Sequence, residues 1–400
     1  MTRLLAVAFA VLVWLTGSAP AADSTGIVKR VGAWFKIDNA AAAEWAYSVP
    51  DPDNDKRVEL RPLFEPLGPA YRIMVIYPRK STAYDTALST ILKDFAARRL
   101  NAELTIANYG NDKAAGAALV EEAERDGYAL VYAMGSETVA WLWAEHRDIG
   151  VPVVTVCAKD PVQLGQMADY EHGSGTSFAF TSLNVLLDVQ LEYLKVLDPG
   201  LRNIGILVDA TNASAVETQA KPLAKAATAL GINAFDVAVT DPEQAKAQLQ
   251  TLLPEALARM RETDPELAHS LFWITGSTAV FVEIATINAL AGKVPVLATV
   301  PEVVQAGDDS AVLSIGVSFV SNAQLAAVYG VDILTGKVKP GELRVGIVSP
   351  PDIAVSFRRA DAIGLKVPFS FFEAATFVYD VDGKPVRAHG RDVAQEQPAS

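Results

Sequence analysis

The residues that could do chemistry are short polar turns, each placed at the end of an apolar run. Gly135-Ser136-Glu137-Thr138 follows the run at 129–134 and opens a helical pattern reaching Arg147. A helix start leaves free N–H groups and a partial positive charge, so this turn suits a carboxylate. Ser136 could equally only cap the helix. Glu137 has two readings, a grip on a ligand amine or a favourable charge at the helix start, of which the second is preferred. Thr275-Gly276-Ser277-Thr278 repeats the form after the run at 270–274, which makes Ser277 and Thr278 candidates of the same kind. Arg79-Lys80 is a cation pair where a ligand anion could sit, or a solvated surface pair. Tyr77 and Tyr109 could stack on a flat ligand or line the core. Asp160 suits a structural turn better than a ligand contact. Asn212 is by default a turn former and otherwise a ligand donor. Thr299 ends a further apolar run at 294–298.

Other chemistry finds little footing. There is no Gly-x-Ser-x-Gly, and His172-Gly173-Ser174-Gly175 lacks the strand-to-helix elbow that a nucleophilic serine needs. No Walker loop and no GxGxxG after a strand occurs. The lone Cys157 sits in an apolar run and reads as a core thiol, which leaves no disulfide within the chain. The four histidines, His146, His172, His269 and His389, show no metal-ligand spacing. We therefore expect no enzyme activity, no cofactor and no metal. The formal net charge of −13 argues against a nucleic-acid partner, which wants a basic face.

Buried parallel strands are the elements that must position these turns. The runs at 129–134 and 151–157 are almost continuously apolar, as strands covered on both faces are, and 71–77 and 102–107 read as two further strands before them. Helical spacing falls between them, with Tyr84, Leu88, Ile91, Leu92 and Phe95 on one face. The alternation restarts after 183–197, with strands at 203–208, 233–239, 270–274 and 294–298. Two βα blocks of similar length in 400 residues favour two doubly wound parallel-sheet α/β lobes with a ligand cleft between them. In such sheets ligands sit beyond the carboxyl ends of the strands, where the polar turns are.

The expected organisation is a signal peptide at 1–21, an extension at 22–69 lying over the body, and two lobes. Lobe 1 is 70–177 plus 313–338, lobe 2 is 178–312 plus 339–385, and 386–400 is a mobile tail. Residues 4–15 are apolar, too few to span a bilayer well, and Ala19-Pro20-Ala21 offers small residues for cleavage. The mature chain is expected to be exported to the periplasm; an uncleaved anchor is the alternative.

Four segments carry a family resemblance. Residues 151–162, VPVVTVCAKDPV, look like the "iPiVf…DPV" segment of the ABC-transporter substrate-binding proteins related to tryptophan-type receptors. Gly135-Ser136 matches that family's small, hydroxyl-bearing turn, and Asn212-Ala213-Ser214 its N-x-S turn. Residues 354–367, AVSFRRADAIGLKV, are similar to its C-terminal "lNlktAkalGl" stretch. The resemblance implies a type I periplasmic binding protein fold with three crossovers, working as a monomer. It implies a small-molecule ligand delivered to an ABC permease. Thr275-Gly276-Ser277-Thr278 departs from the family's acidic turn there, so an amino-acid ligand is less secure. The extension and the aromatics Phe371, Phe372, Phe377 and Tyr379 also exceed the pattern. They motivate an alternative, a periplasmic sensor serving a membrane signalling protein.

Overall fold

The computed structural model describes residues 31–51 and 53–393. The expected signal peptide lies outside them. Sixteen strands form two sheets among the described residues.

The first sheet contains β1 (Trp45–Ser48), β2 (Arg57–Pro62), β3 (Leu67–Tyr77), β4 (Leu100–Asn108), β5 (Leu130–Met134), β6 (Val153–Val156) and β7 (Phe178–Ala179), in the order β1-β2-β4-β3-β5-β6-β7. From β4 to β7 the pairing is parallel. Every residue of β5 and β6 is buried, as helices on both faces require. One cover is the helix Thr82–Ala97, whose expected apolar face is buried. Another is Lys113–Arg125, capped by the Asp112 carboxylate accepting from Ala114 and Ala115 N–H.

The second sheet contains β8 (Asn203–Asp209), β9 (Asn233–Val239), β10 (Ser270–Ile274), β11 (Val296–Ala298), β12 (Leu313–Gly316), β13 (Asp352–Ser356), β14 (Ala375–Tyr379), β15 (Pro385–Ala388) and β16 (Arg391–Asp392). Its order is β16-β15-β14-β13-β12-β11-β10-β8-β9. The βα units from β8 to β12 pair in parallel, and β13 joins β12 antiparallel.

Three stretches differ from the sequence reading. The segment read as an extension over the body supplies β1 and β2, of which β1 pairs antiparallel to β2 and β2 antiparallel to β4. Val58 and Leu60 alternate with more exposed neighbours, a half-buried edge pattern too short to stand out beside flanking prolines. Trp34 and Trp45 do pin this region. Trp45 is 1% exposed and its Nε1 donates to Leu92 O at 3.0 Å, whereas Tyr47 is 47% exposed. Second, residues 313–316 were expected in the first lobe, but β12 pairs with β11 and β13 of the second sheet. The chain crosses only afterwards, and the helix Phe319–Leu334 then packs on the first lobe, where Tyr132 OH donates to Ala326 O at 3.3 Å. Third, 385–388 and 391–392, read as the end of a lobe and a mobile tail, are strands of the second sheet.

The crossing strands meet around one side chain. Asn322 Oδ1 accepts from Cys157 N–H at 2.9 Å, and its amide donates to Thr181 Oγ1 (3.2 Å) and Ser182 O (3.3 Å). Gly346, in the return crossing, bridges Thr181 in parallel register. Asn322 thus couples the outgoing chain to the helix that comes back.

Candidate functional site

A cleft open to solvent separates the strand-end turns of the two sheets. Arg79, Ser81 and Tyr84 enter it from the turn and helix after β3, Ser136 and Glu137 from the turn after β5, and Cys157 and Lys159 from beyond β6. The second lobe contributes Asn212 and Ser214 after β8, Gly276, Thr278 and Phe281 after β10, and Val300 after β11. Leu183 and Phe319, on two crossings, form the back of the site together with Ala83. The chemistry-bearing turns therefore converge because parallel strands present their carboxyl ends on one edge.

Of the eleven candidates read from the sequence, five line this cleft: Arg79, Ser136, Glu137, Asn212 and Thr278. Ser136 does not cap its own helix. Its Oγ accepts from Lys159 N–H at 2.9 Å and so ties the ends of β5 and β6 together. Arg79 Nε donates to both Glu137 carboxylate oxygens, at 3.3 and 3.2 Å, which closes the charge of this pair within one lobe. Asn212 Oδ1 accepts from Ala215 N–H (3.2 Å) and Ser214 Oγ (2.9 Å), the turn-forming role. Thr278 opens a helix, Thr278–Phe281, of only four residues. A single turn aligns few peptide dipoles, so the expected second helix-start anion site has little field behind it.

The other six are placed elsewhere. Gly135 lies beneath the surface at φ +82, and a Cβ there would collide with the Tyr84 hydroxyl; its role is to admit that ring. Tyr77 is fully buried, donates to Tyr84 O at 3.1 Å and packs edge-on against Trp34. Tyr109 is buried against Trp141, with ring centroids 5.2 Å apart. Asp160 is consumed by its turn, accepting from Val162 N–H (2.9 Å), Gln163 N–H (3.1 Å) and Tyr170 OH (2.6 Å). Ser277 is buried in a hydroxyl pair with Thr275. Thr299 is buried and outside the lining. Tyrosines beside a strand end face either cleft or core depending on strand register, which sequence alone leaves open.

Lys159 also lines the cleft and was not among the candidates read from the sequence. It is 7% exposed, yet no hydrogen bond or ion pair holds its ammonium among the described residues. Its Nζ reaches across the cleft to Gly276 and occupies the space a Cβ at 276 would need, with Gln219 Oε1 alongside accepting Gly276 N–H at 2.7 Å. Burial lowers its pKa from 10.5 to about 8. The signal was present in the sequence as a lysine directly after a fully apolar strand, beside the more recognisable Asp160. Tyr84, Phe281 and Phe319, the cleft's aromatic side chains, had no such signal.

Among the described residues no helix is long and apolar enough to cross a membrane, and no cluster of potential metal ligands forms. No curated protein matches the sequence. Three solved structures share the fold. An ABC domain from Streptococcus pneumoniae in complex with L-Trp superposes with a TM-score of 0.60 at 16% identity, covering 78% of this chain and 100% of that one. A conserved domain protein from Vibrio cholerae gives 0.60 at 18% identity, with the same two coverages. A ligand-free, open substrate-binding protein with adhesive properties from Clostridium difficile gives 0.58 at 18%, covering 78% and 99%. These likenesses establish a type I periplasmic binding protein-like fold. The description of ABC transporter substrate binding proteins matches residues 86–376, from the first covering helix to β14 and so through both lobes. On that match the chain belongs to the ABC transporter substrate-binding protein family.

Proposed function

We propose that this protein is the solute receptor of an ABC importer, capturing a small organic molecule between its lobes and delivering it to a membrane permease. The observation that carries this is the cleft, walled by strand-end turns of both sheets and lined by apolar and hydroxyl side chains together. Tyr84, Phe281, Phe319 and Leu183 offer apolar walls, and Ser81, Ser136, Ser214 and Thr278 offer hydroxyls that fix orientation. The protein is read as exported to the periplasm after loss of residues 1–21, acting as a monomer and without turning over its solute. The extra segments that motivated the sensor alternative are built into the two lobes, as β1 and β2 of the first sheet and as the helix Phe369–Ala374 and β14 of the second lobe, so they lend it no separate support.

The test is a thermal-shift screen of the purified mature protein against amino acids and small organic acids. A ligand at 100 times its Kd adds about 2.7 kcal/mol to stability. Stabilisation by at least one solute, with no chemical change of that solute by mass spectrometry, is the expected result. Failure of every plausible solute would remove the receptor reading.

A further inference from the structure

We propose that the cleft selects a small organic monoanion, a carboxylate on an apolar body, held by the Lys159 ammonium and the Ser136 hydroxyl. This deepens the receptor reading and rests on it. Three charged residues line the cleft: Arg79, Glu137 and Lys159. The first two neutralise each other, which leaves one buried cation facing the ligand space. A buried ammonium without a counter-ion is costly, and a ligand carboxylate supplies the missing charge. Ser136 Oγ already accepts from Lys159 N–H, so its own proton is available to donate into the same space.

The neighbouring acids are occupied. Glu137 is held by Arg79, Asp209 by the Thr211 N–H (2.8 Å) and hydroxyl (2.7 Å), Asp160 by its turn, and Glu302 by Phe319 N–H (2.7 Å). An α-amino acid would bring an ammonium into a site whose lining offers it no uncommitted carboxylate. Facing Lys159 from the elements around it are Cys157, the Arg79–Glu137 pair, Tyr84, Gln219 and Gly276. Burial raises the Cys157 thiol and the Tyr84 phenol far above neutrality, so neither titrates with the lysine.

The experiment uses three matched sets at a fixed excess: propanoate, hexanoate and 3-phenylpropanoate, the primary amide of each, and the corresponding amino acids alanine, norleucine and phenylalanine. Thermal shifts are read on the wild type, Lys159→Met and Gly276→Ala, with far-UV circular dichroism to establish folding, and Kd by calorimetry for compounds that bind. At least one carboxylate is expected to stabilise the wild type more than its amide and its amino acid do. Its affinity should fall at least tenfold in Lys159→Met, and about 16-fold in the wild type between pH 8 and 9.5, as the lysine loses the proton that the anion needs. An amino acid that binds better than its carboxylate, or carboxylate binding that survives in Lys159→Met, would overturn the proposal and leave the receptor reading standing. No shift with any compound of any class would count against both.

Discussion

Replacing Lys159 by methionine tests the central electrostatic claim without any ligand. The buried ammonium is held at about 8, against 10.5 for an ordinary lysine, and desolvation is the cause. At about 1.36 kcal/mol per pH unit, that gap represents roughly 3 kcal/mol against the folded state while both states are protonated. The penalty is complete below pH 8. Between pH 8 and 10.5 the folded state has shed a proton that the unfolded chain keeps, so wild-type stability rises with pH. Above 10.5 both are neutral and the penalty is gone. Methionine has a similar length and no charge, so Lys159→Met should be more stable than wild type by ~3 kcal/mol at pH 7 and by ~1.4 kcal/mol at pH 9.5. For unfolding units of about 150–250 residues each kcal/mol moves Tm by about 2–4 °C, a readily measured difference. Urea titrations of wild type and variant at the two pH values give the comparison. A variant less stable than wild type at pH 7, or a difference that does not shrink at the higher pH, would mean that the ammonium has a compensating partner.

Other perturbations have equally definite outcomes. Gly276→Ala meets only the flexible end of Lys159 and Gln219 Oε1, so it should leave stability within about 1 kcal/mol of wild type while weakening carboxylate binding by calorimetry. Gly135→Ala places a Cβ at φ +82 and against the Tyr84 hydroxyl; a loss of ~2 kcal/mol or more in urea, with a changed tyrosine fluorescence, is expected. Trp45→Ala removes a buried ring and its bond to Leu92 O and should cost about 3–5 kcal/mol, which distinguishes an integral edge strand from a dispensable extension. Asn322→Ala leaves Cys157 N–H unsatisfied where the crossings meet and should cost about 1–3 kcal/mol, read in urea, with faster amide exchange at 157 and 182.

Much of the architecture was legible in the chain because its cause is local. Continuous apolar runs such as 129–134 and 151–157 can only be buried on both faces, and polar turns must end them, so two βα blocks and a cleft at their carboxyl edges followed from pattern alone. Arg79, Ser136, Glu137, Asn212 and Thr278 were reachable by that logic, since each is the turn itself. What tertiary structure alone decided is everything set by contacts between distant segments. Pairing partners put 313–316 in the second sheet and added 57–62 and then 45–48 to one end of the first, because hydrogen-bonded register depends on the neighbour as well as on the strand. Strand register likewise turned Tyr77 inward, and the turn's own N–H groups took Asp160. The meaning of Lys159 came last, since a lysine becomes an unpaired buried charge only when Gly276 arrives from the other lobe to exclude water from it.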